Sequence, residues 1–344
     1  MRLFAASLIA VSLQCSAGAD ARAGDGDAAE IETVIAQFRA NRPLKPDELA
    51  KIETCVHAAV GLRPDDGRVR YAKVLFDRSK GDRKAAKQSI EALVEEFPTV
   101  AEYRATHGTL CFEVINDAGM FQKMNIASTG RSEYEKAIEL DSSLVEPRIG
   151  LTRFFLMAPG YAGGSYKRAE EQANALVNLP DGKGEFFGRS LLADIYADKG
   201  EWTKVDEQFQ LAEASGNPAA NPPAAMRGYA RILLNKKKDP NAALVVIERY
   251  KKIAAPDDAT PWFLAGEAKK ALGDTPGAIE AYSRAIEIEP AAINSRLALA
   301  ESFEKNREYT KASIQFREFA SRFPADPRAG DATQSAARCD KKAK

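Results

Sequence analysis

The sequence predicts an all-α chain: a solenoid of about eight antiparallel helix pairs, closed by a C-terminal capping helix. Three observations carry that expectation. A period of 34 residues recurs, a fixed glycine–small residue–proline spacing accompanies it, and strand patterning is nearly absent. Residues 259–290, ATPWFLAGEAKKALGDTPGAIEAYSRAIEIEP, display the unit most fully. Ala312, Phe316 and Pro324 each stand 34 residues after Ala278, Tyr282 and Pro290.

The turn between the two helices of a pair fixes the frame. Gly273 precedes Ala278 by five residues and Pro290 follows it by twelve; Gly81, Ala86 and Pro98 keep both spacings, as do Gly200, Val205 and Asn217. Glycine suits the left-handed residue that ends a first helix. Asp82, Glu201 and Asp274 come next and place an acid at the positive end of the second helix. Thr275-Pro276 reads as an N-cap followed by a first-turn proline. The small residue at Ala86, Ala169, Ala278 and Ala312 lets the paired helices approach, and an aromatic residue four positions after Ala278 and Ala312, Tyr282 and Phe316, fills the space beyond. One pair cannot bury its apolar face alone, so neighbours stack.

Weaker units occupy 33–64, 67–98, 101–142 and 224–256. Pro-rich NPAANPPA at 217–224 is expected to be a connection, because consecutive prolines cannot continue a helix. The repeat domain is placed at 28–326, and 327–344 is expected to form a polar capping helix and tail.

Two stretches interrupt the frame. In APGYAGGSYKRAEEQ, at 158–172, Gly164 stands five residues before Ala169, so it takes the turn position of the fourth unit. The interval from packing glycine to turn glycine is 7 residues for Gly266–Gly273 and 14 for Gly150–Gly164, which makes 158–163 most of an insertion. DAGMFQKMNIAST, at 117–129, is expected to be a second inserted loop.

Charge and motif content narrow the function. The chain of 344 residues carries 49 Lys+Arg against 49 Asp+Glu, a formal net charge of +0, and lacks the basic excess of a nucleic-acid binder. Its longest basic run, Lys236-Lys237-Lys238, reads as a solvated helix end. A phosphate loop begun at Gly160 fails at Ser165, where its second glycine is required, and no G-x-G-x-x-G is present. Only two histidines occur, His57 and His107, and H-E-x-x-H, C-x-x-C and G-x-S-x-G are all absent. No catalytic residue, cofactor or metal site is therefore expected. Thr106-His107-Gly108 reads as helix packing, and Cys55 and Cys111 as buried thiols, whereas Cys339 falls in the polar tail, where exposure is open to it.

Residues 1–19 read as a secretory signal peptide: a basic start at Arg2, a ten-residue apolar run from Phe4 to Leu13, and an A-x-A site at Ala17-Gly18-Ala19. Ala21-Arg22-Ala23 is a second cleavage choice, and 20–27 would be a flexible N-terminus. Gln14 before Cys15 argues against lipid anchoring there. No later run of about 18 apolar residues exists to span a membrane. The mature protein is accordingly expected in the periplasm or outside the cell.

First helices of such a stack line its concave face, and the residue after each packing glycine should point there. Asp194, Glu267 and Glu301 take that place, an acidic stripe suited to a basic or amide-rich partner. Tyr161 and Tyr166 in the 158–172 stretch are the other candidate contacts, since aromatic residues are favoured at binding hot spots.

At these motifs the chain resembles the tetratricopeptide repeat superfamily over nearly all of 28–324, most clearly in 186–217 and 259–324. The resemblance implies right-handed superhelical stacking and binding of a protein or peptide rather than catalysis. One branch of the superfamily clamps a C-terminal carboxylate with lysine and asparagine on first helices. Here Ser190, Phe263 and Leu297 stand at the first clamp lysine and acids replace the asparagine, so that function does not carry over. MAPGYAGGSYKRAEE also looks like an insertion of exported bacterial proteins, including those associated with TRAP transporters. A second reading follows: a small-ligand-binding accessory of an envelope transport system, with 117–129 and 158–164 shaping a pocket lined by Phe154, Phe155, Tyr161 and Tyr166.

Overall fold

A computed structural model describes residues 23–40, 44–214 and 222–344. The signal peptide, its cleavage site at Ala17-Gly18-Ala19 and Cys15 lie outside the described residues. So does most of the connection expected at 217–224.

Among the described residues the chain is helical, with no strand. Most of the helices pack as consecutive pairs. The first pairs are α1 (Ala23–Arg39) with α2 (Pro46–Leu62), α3 (Gly67–Ser79) with α4 (Arg83–Glu96), and α5 (Ala101–Val114) with α6 (Met120–Leu140); α7 (Val145–Met157) packs on α6, and α8 (Tyr166–Val177) on the helix that follows it. The others are α9 (Glu185–Lys199) with α10 (Trp202–Ala214), α11 (Pro222–Ile232) with α12 (Pro240–Ile253), α13 (Thr260–Ala271) with α14 (Thr275–Ile288), and α15 (Ile293–Lys305) with α16 (Tyr309–Arg322). The capping helix α17 (Ala329–Lys342) follows. The chain divides into two compact units, Met1–Gly164 and Ser165–Lys344. The division falls at the end of the 158–164 insertion, where extra residues interrupt the repeat. Residues 23–27 belong to α1, inside the stretch expected to be flexible.

The repeat logic is visible atom by atom. Gly81, Gly200 and Gly273 have φ of +90°, +73° and +81°, the left-handed turn the spacing requires. The residue after each donates its N–H back to the helix it has just left, as Asp274 does to the Lys269 carbonyl at 3.0 Å. Asp82, Asp239 and Asp274 then cap the second helices by accepting from Ala85, Ala242 and Gly277 N–H at 3.2, 3.0 and 2.9 Å. The cap of α14 is thus Asp274, and Thr275 is already helical.

Small residues sit where the helices meet. Ala86, Ala169, Ala278 and Ala312 are all fully buried. The packing glycines face tyrosine rings: a Cβ on Gly266 would lie 2.4 Å from the Tyr282 ring. In the third pair Tyr134 stands where Tyr282 does. A Cβ on Gly108 of α5 would come within 2.6 Å of that ring, and one on Gly150 of α7 within 2.2 Å. One tyrosine is therefore held between two glycines of successive first helices. Its hydroxyl pairs with Thr109 Oγ1 at 3.0 Å.

Two turns carry the left-handed conformation without glycine, at Lys238 (φ +58°) and Arg307 (φ +62°). A side chain there costs about 1–2 kcal/mol. Arg307→Gly should consequently stabilise the last pair by about 0.5–1 kcal/mol, part of the relief being offset by glycine's greater chain entropy. Chemical denaturation followed by circular dichroism checks it; an unchanged or lower midpoint would contradict the turn assignment.

Several local expectations are corrected. The stretch 117–129 is not a loop: after one tight turn at Ile115–Asp117, α6 starts at Met120 and absorbs the rest as extra helical turns. Its sequence, MFQKMNIAST, holds no proline or glycine to stop a helix. Pro222 and Pro223 open α11, where a proline's missing N–H has no intrahelical partner to lose. Cys339 is fully buried, with Ala332 and Ala336, in the stripe that α17 packs on Phe316 and Phe319 of α16. Cys55 and Cys111 are buried as expected, and none of the three forms a disulfide. The 236–238 run is not simply solvated: a π-turn at Leu233–Lys237 turns Lys236 onto Asp194 and Asp198 at 3.0 and 2.9 Å.

Candidate interaction surface

The charges on first helices are paired across neighbouring repeats. In the N-terminal unit Arg68 of α3 donates to Glu32 of α1 at 2.6 Å and to Glu102 of α5 at 2.8 Å, offsets of 36 and 34 residues. Arg78 reaches Glu113 at 2.7 Å over 35 residues. In the C-terminal unit Arg338 reaches Glu304 at 2.9 Å over 34. Stacked repeats bring equivalent positions side by side, so opposite charges one period apart meet. The Arg68 hydrogen bond holds the Glu32 carboxyl below its ordinary value.

That ladder decides the fate of the acidic stripe. Asp194 is taken by Lys236 at 3.0 Å, and Glu301 by Lys270 at 3.0 Å. Glu267 accepts the hydroxyl of Tyr282, whose proton is held tightly by burial and by that bond. For Lys236, burial works against its charge, but hydrogen bonds to Asp198 and Asp194 outweigh it and raise its proton affinity. The three acids occupy equivalent positions, as the spacing predicts, but each already has a partner within the protein. Sequence reading missed Arg68 and Lys270, which stand about one period from the acids they meet, and Lys236, which lies 42 residues from Asp194.

A cleft of about 260 Å³ lies between α15 and α17. Leu297, Phe316 and Ala332 form its apolar wall, with Glu301, Arg328 and Arg338 around it. Arg328 is itself held by Asp326 at 2.8 Å and Asn294 at 3.0 Å, so the rim is neutralised from within.

The inserted stretch is compact and outward-facing. Ala162 and Gly164 both donate to the Pro159 carbonyl, at 2.8 and 3.1 Å, around one tight turn at Gly160–Ala162. The left-handed residue is Gly163, φ +96°, not Gly164. Gly164 is required for a different reason: a Cβ there would overlap the Ala158 carbonyl oxygen at 1.7 Å. Phe154 and Phe155 are buried, while Tyr161 is 84% exposed. Met157 beside it is equally exposed, and Tyr166 on α8 is 46% exposed. Among the described residues no group of three or more His, Cys, Asp or Glu is placed to hold a metal ion. No described helix is long and apolar enough to cross a membrane.

The paired helices, their left-handed turns and the buried small-residue seams define a helical-repeat solenoid protein. Residues 259–291 match the family model for the tetratricopeptide repeat. Among solved structures, the chain is similar to the yeast protein Tom70, with a TM-score of 0.65 and 14% identity over 94% of this chain and 66% of that one. It is also similar to a tetratricopeptide repeat protein from Parabacteroides merdae ATCC 43184, with a TM-score of 0.53 and 13% identity over 80% of this chain and 99% of that one. No curated protein matches it significantly in sequence. Residues 259–291 thus carry a tetratricopeptide repeat, and the chain shares the helical-repeat fold of these structures.

Proposed function

We propose that the chain is an exported, non-enzymatic scaffold that binds a protein or peptide partner through its first-helix face and the inserted loop. The observation that carries this reading is the joint exposure of Met157, at the end of α7, and Tyr161, on the compact loop that follows it. The internal pairing of Asp194, Glu267 and Glu301 moves the weight of recognition away from the acidic stripe and towards such apolar contacts. The exposure of Tyr161 also favours a partner surface over an enclosed small-ligand pocket.

Export rests on the pattern of residues 1–19. N-terminal sequencing of protein recovered from the cell envelope should give a first residue of Asp20 or Gly24; Met1 retained on cytosolic protein would refute it. Pull-down from an envelope extract, read by mass spectrometry, tests the scaffold. A reproducible protein partner supports it, whereas a co-purifying small molecule in its place would support the transport-accessory reading.

A further inference from the structure

His107 lies on α5, with α4 and α6 on either side. It is 6% exposed, and both ring nitrogens are buried without a hydrogen bond. Nε2 is 3.5 Å from Glu91 Oε1 of α4, and Nδ1 is 3.9 Å from Glu133 Oε2 of α6. Both carboxylates are engaged by other cations. Glu91 accepts from Lys87, and Glu133 accepts from Arg104 at 2.8 Å and Lys136 at 3.4 Å. One turn along α5, the buried Cys111 thiol is pushed up to about 11 by burial and stays uncharged. The titratable and charged groups around the ring are therefore Lys87 and Glu91 from α4, Arg104 and Cys111 from α5, and Glu133 and Lys136 from α6.

Neutral imidazole fits this slot as a flat, largely apolar ring. Protonation would place a cation out of reach of water, beside carboxylates that three other cations already neutralise. We propose that His107 is a proton-sensitive wedge: neutral, it seals the packing of α4, α5 and α6, and protonated, it loosens that packing while leaving α9–α17 unchanged. The C-terminal unit contains no histidine.

Burial is the main cause that lowers the His107 proton affinity below the ordinary value of 6.5, with Glu133 and Glu91 opposing it. The unfolded chain then binds the proton more readily than the folded one. The His107 contribution to stability is accordingly complete above pH 6.5 and lost progressively as pH falls below it.

Hydrogen exchange on the full chain at pH 7.5 and 5.5, corrected for intrinsic rates, reads the effect segment by segment. Amides of α4–α6 should lose up to about tenfold protection at the lower pH, the equivalent of one pH unit below the ordinary histidine value. His107→Gln should flatten that response, and α12–α16 should show none. An NMR titration of the two imidazoles, assigned with His57→Gln, decides independently should His107→Gln not fold; His57 is exposed, 6.0 Å from the Phe76 ring. A His107 midpoint below 6.5 supports the wedge. A midpoint at or above 6.5, or an unaltered acid response in His107→Gln, overturns it.

Discussion

Gly150→Ala should destabilise the N-terminal unit by about 1–3 kcal/mol, the range for forcing extra volume into a packed core. The sign is opposite to the ordinary one. Within a helix, alanine is favoured over glycine by about 1 kcal/mol, and Gly150 is in the middle of α7. Its new methyl group would meet the Tyr134 ring at 2.2, 2.6 and 2.9 Å. The ring has no free side to retreat to, because Gly108 of α5 closes the other face at the 2.6 Å approach of its own missing Cβ. Retreat would also break the hydroxyl contact with Thr109. Gly228→Ala on α11 is the control, since nothing lies within 4 Å of its added Cβ. That variant should gain about 0.5–1 kcal/mol. Repeat arrays do not always unfold in one step, so hydrogen exchange over α5–α7 is the decisive readout beside the melting temperature. Equal effects of the two substitutions would show that the glycine–tyrosine seam does not govern the packing.

The seam also explains why so much of the fold was legible. A left-handed turn, a close helix approach and a capping acid are each satisfied by one residue type, so Gly273, Ala278 and Asp274 announce themselves at fixed spacing. Where another residue bears the same constraint, the signal disappears. Arg307 and Lys238 hold left-handed turns, and Gly130 stands where Ala278 does, four residues before a tyrosine. The extension of α6 was hidden for a different reason: an insertion shows in the spacing, but spacing does not say whether the added residues coil or continue a helix. The burial of Cys339 depended on a sparse stripe, Ala332, Ala336 and Cys339, inside a strongly polar sequence. The acidic stripe shows the limit for function. Equivalent positions could be aligned from sequence, but the lysine that neutralises Asp194 lies 42 residues away and reaches it only because a π-turn redirects it.

Removing Pro159–Gly163 should leave both helical units intact and weaken partner binding. The deletion is geometrically mild because the ends it joins already touch: Gly164 N–H donates into the loop, and its Cα abuts the Ala158 carbonyl. Little core is lost, since Tyr161 is 84% exposed and the buried aromatic residues, Phe154 and Phe155, precede the cut. One contact goes with the loop. The Arg131 guanidinium no longer has Gly163 beside it, at the 3.0 Å its Nη1 would keep from a Cβ there, but it retains its place 6.0 Å from the Phe154 ring. Helical circular dichroism should therefore persist. Binding should fall through the loss of Tyr161, for which an aromatic anchor in a hot spot typically contributes about 2 kcal/mol or more, roughly thirtyfold in affinity. Tyr161→Ala isolates that side chain without altering the chain path, and it should account for most of the loss. If Tyr161→Ala binds normally while the deletion does not, the loop acts through its backbone. Loss of helicity in the deletion would make the loop a structural joint, and unchanged binding in both variants would return recognition to the first-helix face alone.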